Sequence, residues 1–124
     1  MVSGGYSQSM LGDTRSEVIS SIKSNDHLRG LNEGFTKSGY PYITVLNRDD
    51  DMLQWIFDSG VVSEYIIIID SDDLNGYIES LNKHYVREKS YQWSDYSSGT
   101  RIYWWIAASD KFYNVHCSYS NPNL

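Results

Sequence analysis

Between Tyr91 and Tyr119 residue character alternates with the period that places successive side chains on opposite faces of a sheet. Ser98-Gly99 and Ser109-Asp110 are plausible two-residue hairpin tips that divide this stretch into three antiparallel strands. One face then carries Tyr91, Trp93, Ile102, Trp104, Ile106, Tyr113, Val115 and Cys117, a core-like set. The other carries Gln92, Ser94, Tyr96, Arg101, Tyr103, Trp105, Asn114, His116 and Ser118, where aromatic rings mix with hydrogen-bonding groups. That second mixture is the composition of a recognition surface.

The rest of the chain supplies the partners for such a sheet. Thr14 and Glu17 have capping-box spacing, and Val18, Ile19 and Ile22 follow as the apolar stripe of a helix that ends at Ser24-Asn25-Asp26. Leu11 precedes the cap and can pack on the same stripe. His27 to Gly39 is punctuated by three glycines and is expected to hold only a short turn around Leu28 and Leu31. Strands are expected at Tyr42–Leu46, after Pro41, and at Leu53–Phe57, where Leu53, Trp55 and Phe57 alternate with Gln54 and Ile56. Asp58-Ser59-Gly60 reads as a three-residue hairpin loop with Gly60 left-handed. In that register Gln54 faces Glu64 on the outside, and Val61, Tyr65, Ile67 and Ile69 join the core. A two-residue turn would instead bring Glu64 onto the core face, which is costly. Asp70-Ser71-Asp72-Asp73 opens a second helix whose stripe is Leu74, Tyr77, Ile78, Leu81 and Tyr85.

These elements predict an α+β domain: an antiparallel sheet of about six strands with helices on one face, in the order α-β-β-β-α-β-β-β. The repeated order has the form of a duplication without sequence identity. Residues 1–10 are rich in Gly and Ser and read as a flexible segment, leaving 11–124 as one domain. Met1-Val2-Ser3-Gly4-Gly5 lacks the charged start and apolar segment of a secretory leader, although it would suit the trimmed start of a mature exported protein. No apolar stretch reaches the ~20 residues of a membrane-spanning helix.

Leu11-Gly12-Asp13-Thr14-Arg15-Ser16-Glu17-Val18 resembles the entry to the first helix of the small outer-membrane assembly lipoproteins (SmpA/OmlA-like), an entry shared by β-lactamase-inhibitor-protein-like domains. Leu53 to Val62 looks like their aromatic strand, Asp-Gly-type turn and following strand. The likeness covers about residues 11–69, and it departs at Ser24-Asn25-Asp26, where a Gly-x-Pro turn is often found. It implies a small cell-envelope or secreted module that works through protein contacts, and it transfers no catalytic residues. Without that resemblance a cytoplasmic location is equally compatible with the sequence.

Charge and motifs narrow the chemistry. A net charge of −6, with ten basic residues scattered among sixteen acidic ones, argues against non-specific nucleic-acid binding, which needs a basic patch. The single cysteine allows no internal disulfide and no cysteine metal cluster. His116 and Cys117 are neighbours on a strand, so they point to opposite faces and cannot act as a nucleophile–base pair. His27, His84 and His116 lack metal-ligand spacing, and His84 suits a helix end. Asp70 to Gly76 fails the calcium-loop pattern at its fifth and sixth positions and is better explained as helix capping. Asp49-Asp50-Asp51 reads as a solvated turn. No catalytic constellation and no cofactor or metal site emerge.

The expected role is therefore non-enzymatic binding of another protein through the open sheet face. Trp105 and Tyr103 are the expected anchors, Arg101 and His116 the polar specificity contacts, with Tyr96 and Asn114 completing the surface. Eleven tyrosines and four tryptophans also admit a small-ligand or carbohydrate binder on the same rings, and the acidity admits an inhibitor or immunity-type protein. A strand edge at Tyr42–Leu46 or Phe112–Tyr119 is also available to pair two copies.

Overall fold

The computed structural model describes residues 9–120; residues 1–8, most of the segment expected to be flexible, lie outside the described residues. Helix α1 (Arg15–Lys23) begins where the capping box predicts. The Thr14 hydroxyl accepts from the Glu17 amide at 3.3 Å, and the Glu17 carboxylate accepts from the Thr14 amide at 2.9 Å. Strands β1 (Arg29–Phe35), β2 (Pro41–Leu46), β3 (Met52–Asp58) and β4 (Val61–Ile69) follow as a meander. A short 3-10 turn (Ser71–Asp73) leads into helix α2 (Leu74–His84) and a second meander: β5 (Val86–Lys89), β6 (Gln92–Asp95), β7 (Ile102–Ser109) and β8 (Phe112–Ser118).

All eight strands form one antiparallel sheet in the order β1-β2-β3-β4-β8-β7-β6-β5. The order reads the same from either edge: each half is one helix and four strands, and the halves join where β4 pairs with β8. The sheet thus has two strands more than the sequence predicts. Both extra strands are edges. β1 is exposed at six of its seven residues and β5 at all four, so neither shows the alternation of a half-buried strand. Backbone pairing to β2 and β6 makes them strands, not an apolar face of their own. β1 carries Arg29, Glu33 and a register shift, and β5 carries three charged residues and a shift of its own, features that discourage pairing with another chain. The two edges expected from sequence are therefore interior: β2 lies between β1 and β3, and β8 lies at the centre of the sheet.

One core cluster lies between the sheet and the two helices. Val18 and Ile22 of α1 and Leu81 of α2 pack onto Ile43, Val45, Leu53, Trp55, Tyr65, Ile67, Trp93, Trp104, Val115 and Cys117, with Leu11, Leu74, Tyr77, Ile78 and Tyr85 at its margins. Tyr65 sits between the two meanders' tryptophans. It stacks on Trp55 at 5.2 Å and meets Trp104 edge-on at 6.3 Å, while Tyr85 stacks on the far side of Trp104 at 5.4 Å.

Three turns differ from the sequence reading. The β6–β7 connection is the six residues 96–101 and not a two-residue tip at Ser98-Gly99, so Tyr96 and Arg101 lie on a loop. The β3–β4 loop has two residues, Ser59-Gly60, both left-handed, and not three. A bulge next to Ser63 restores the face that the longer loop was expected to protect. Ile56 pairs with Glu64 and Phe57 with Val62, so Glu64 stays off the core. Gln54 consequently faces Ile66 and not Glu64, and Val62 replaces Val61 in the core. The β7–β8 tip is Asp110-Lys111, one residue later than expected. That displaces the pairing by two residues, which leaves every side chain on its expected face.

Candidate functional site

Both helices cover the same side of the sheet, so among the described residues the opposite face has no helix over it. Strand register lays its side chains out in cross-strand rows. The middle row runs Gln92, Trp105, His116, Ile66, Gln54 and Thr44, from β6 to β2. The next runs Ser94, Tyr103, Ser118, Glu64, Ile56 and Tyr42, then ends at Gly34 on β1. A third runs Ala107, Asn114, Ile68, Met52 and Leu46. Tyr42 lies across Gly34, where an added Cβ would come within 2.6 Å of its hydroxyl and would displace the ring.

At the β6–β7 end Arg101 is held by four groups. Its guanidinium lies over the Tyr103 ring at 4.5 Å and the Tyr96 ring at 5.5 Å. Its Nε donates to Ser94 Oγ at 3.0 Å, and its terminal nitrogen reaches Glu88 at 3.4 Å. Tyr96 also donates to Glu88, at 3.0 Å. Hydrogen bonds from Tyr96 and Ser94, with the nearby Arg101 charge, hold the Glu88 carboxyl below its ordinary value. The cluster is fixed internally yet accessible: Tyr96 is 54% exposed, Arg101 is exposed and Tyr103 half-buried.

Trp105 and His116 form a second cluster in the middle row. Their rings stack at 4.9 Å with an interplanar angle of 5°. His116 Nδ1 lies 2.7 Å from Glu64 Oε2, so the ring donates through Nδ1 to that carboxylate. Trp105 lies on the expected face but is only 6% exposed, and it stands outside the core cluster. Flanked in its row by Gln92 and His116, it forms the floor of the open face and has little ring area left to offer a partner. Asn114 is half-buried in the third row, about 13 Å along the strands from the Tyr103 row. The structure therefore gathers Tyr96, Arg101 and Tyr103 into one cluster and Trp105 and His116 into a second, and places Asn114 in the row next to the second cluster, away from the first.

Sequence reasoning missed two features of this face. Glu88 belongs to the unexpected strand β5, where a register shift between Arg87 and Lys89 leaves it without a partner in the β6 ladder. The other is an aliphatic field on the β2–β4 side: Leu46, Ile56, Ile66 and Ile68 are half-buried and Met52 exposed, without a helix over them. The unbroken apolar run Tyr65–Ile69 was its signal. A strand whose two faces are both apolar has something to cover on each. Cys117 is buried in the core, where burial pushes its thiol up and disfavours the thiolate a nucleophile needs. Among the described residues no group of three or more His, Cys, Asp or Glu side chains converges as a metal site. Asp70 instead caps the 3-10 turn, its carboxylate accepting from the Asp72 and Asp73 amides at 3.0 and 3.3 Å.

The class these features define is a duplicated-topology α+β domain: one antiparallel sheet, helices on one face, an aromatic, polar and aliphatic surface on the other. No family model, curated protein or solved structure matches the chain.

Proposed function

We propose that this domain is a non-enzymatic binding module whose helix-free sheet face engages another protein. The observation that carries the reading is the continuity of two surfaces on that face. The aliphatic field of Ile56, Ile66, Ile68, Met52 and Leu46 adjoins the Arg101–Tyr96–Tyr103 cluster through His116 and Glu64. An apolar patch bordered by ordered tyrosines, an arginine and hydrogen-bonding groups has the anatomy of a protein interface. Trp105, the broadest ring on the face, is buried and leaves only tyrosine rings for a sugar to stack on, which favours the protein partner over the carbohydrate one. In this reading Tyr103 is the anchor, Arg101 and His116 supply directional contacts, Tyr96 lies at the rim, and Trp105 positions His116 from beneath. The resemblance of residues 11–69 to envelope modules leads to the same role and adds a cell-envelope or secreted location.

The test is site-specific photo-crosslinking. A crosslinker at Tyr103 or Ile66 should trap one defined protein that a crosslinker at Ser20 on α1 does not. Binding of that protein should weaken by about 2 kcal/mol in Tyr103→Ala with the fold intact. Equal capture from both faces would refute the reading. Affinity that collapses between low and moderate salt would instead favour an acidic inhibitor, since an apolar-anchored contact responds weakly to screening.

A further inference from the structure

The aliphatic field on β2–β4 ends at an acidic border. Leu46, Met52, Ile56, Ile66 and Ile68 span three strands and three cross-strand rows, roughly 10 Å by 13 Å. Phe112, two residues before Asn114 on the same face of β8, is 48% exposed at the corner beyond Ile68. Past the Met52 row lie the β2–β3 turn (47–51), the link from β4 to α2 (70–73) and the β7–β8 tip (110–111), all at one end of the sheet. These connections hold seven aspartates against Arg48 and Lys111, a formal −5 out of the whole chain's −6. Asp51 is buried and Arg29 engages Asp50, whereas Asp49, Asp70, Asp72 and Asp110 are exposed.

Topology limits what can cover the field. β2, β3 and β4 are each paired on both sides, so an occupant cannot add a strand there and must bind through side chains. An extended segment would set its own unpaired backbone against aliphatic side chains, which is costly, whereas a helix satisfies its backbone internally. A helix is about 10 Å across, the width of the field. The opposite face of the same sheet already packs helices, through Val18 and Ile22 of α1 and Leu81 of α2. The acidic border then selects the sign of the helix, since complementary charge steers encounter and excludes wrong partners. A second copy, itself at −6, is a poor complement to that border. We propose, resting on the binding-face reading above, that the partner presents a basic amphipathic helix. Its apolar stripe lies over Ile56, Ile66, Ile68 and Met52, and its lysines or arginines meet the aspartates at the end of the sheet. The apolar contact holds the helix, and the exposed border guides its approach, because solvated charges act on the association rate more than on affinity.

Three synthetic peptides test the occupant against the whole chain: a helix with a leucine stripe and a lysine face, the same helix with glutamate for lysine, and a scrambled leucine–lysine sequence. Methyl NMR locates binding and stopped-flow fluorescence gives its rates. The leucine–lysine helix should shift the Ile66, Ile68 and Met52 methyls, and the other two peptides should bind about tenfold more weakly or worse. Ile66→Gln should speed dissociation about tenfold, and Met52→Gln, at an exposed position, should act in the same direction if Ile66→Gln fails to fold. Asp49→Asn combined with Asp72→Asn should slow association several-fold and leave dissociation unchanged. Absence of binding by the leucine–lysine helix would overturn the proposal, as would equal binding by the glutamate or scrambled peptide. Methyl shifts confined to α1 and α2 would do the same, and so would self-association of the chain through these methyls. A partner trapped by a crosslinker at Ile66 that carries no basic amphipathic helix would overturn the helix and leave the binding-face reading standing. Equal capture from both faces would remove that reading as well.

Discussion

The two halves of this sheet share a topology and differ in what they present. β1–β4 and β5–β8 are each a four-strand meander preceded by a helix, and their inner faces are nearly interchangeable: Ile43, Leu53, Trp55 and Tyr65 on one side, Trp93, Trp104, Val115 and Cys117 on the other. Their outer faces are not. Along the middle row β3 offers Gln54 where β7, the matching strand beside the centre, offers Trp105. In the adjoining row Tyr42 covers Gly34, whereas Tyr103 lies under the Arg101 guanidinium opposite Ser94. Burial constrains the inner face in both halves alike, so it records the architecture. The outer face is free to differ, and the proposed binding role rests on that difference.

The comparison makes its largest claim about the core. Trp55 and Trp104 are both fully buried against Tyr65, one from each half, so the halves share one core through the β4–β8 pair. Replacing either by Ala should cost about 3–5 kcal/mol. Each should lower a single cooperative denaturation transition followed by both fluorescence and circular dichroism. Two separated transitions in either variant would mean that the halves are independent units that merely touch.

On the outer face the halves should respond unequally. Trp105→Ala removes a large ring buried against His116 and is expected to cost about 2–3 kcal/mol, while Gln54→Ala, at the matching place in the other half, should fall within about 0.5 kcal/mol of wild type. Equilibrium urea denaturation decides this. Equal costs would erase the distinction between the two outer faces. A neutral Trp105→Ala would show that its ring is not part of the stable structure.

How far the sequence discloses this arrangement follows from which signals burial writes into it. Alternation in β3, β7 and β8 marks strands that must present one side to the helices, β4 shows itself by an unbroken apolar run, and both helices announce themselves by cap and stripe. The faces of the C-terminal meander are legible for the same reason. β1 and β5 leave no such trace, because an edge strand exposed on most of its residues is specified by its neighbour's backbone. The site is partly legible. Arg101, Tyr96, Tyr103 and His116 fall on the expected face, but the exposure of Trp105 depends on rings and side chains one strand away, and Glu88 depends on a strand that pattern alone does not reveal. Asp51 shows the limit best. In sequence it is one of three turn aspartates, and only the docking of α2 makes it a buried carboxyl that accepts from Tyr77.

The smallest expected effect concerns the two helix starts. α1 carries a reciprocal capping box, Thr14 with Glu17, directly at its first turn. α2 carries its side-chain cap one turn earlier, at Asp70 on the 3-10 segment, and Asp73 at its own start makes no capping bond. Removing each cap should therefore act on different units. Thr14→Ala should cost about 1 kcal/mol and loosen α1 alone. Asp70→Ala should cost a similar amount or less, because the Tyr77 hydroxyl still donates to Asp51 and ties α2 to the β2–β3 turn. Residue-resolved hydrogen exchange separates the two. If Asp70→Ala frees all of α2, the Tyr77–Asp51 hydrogen bond does not hold that helix, and the two halves secure their helices in the same way.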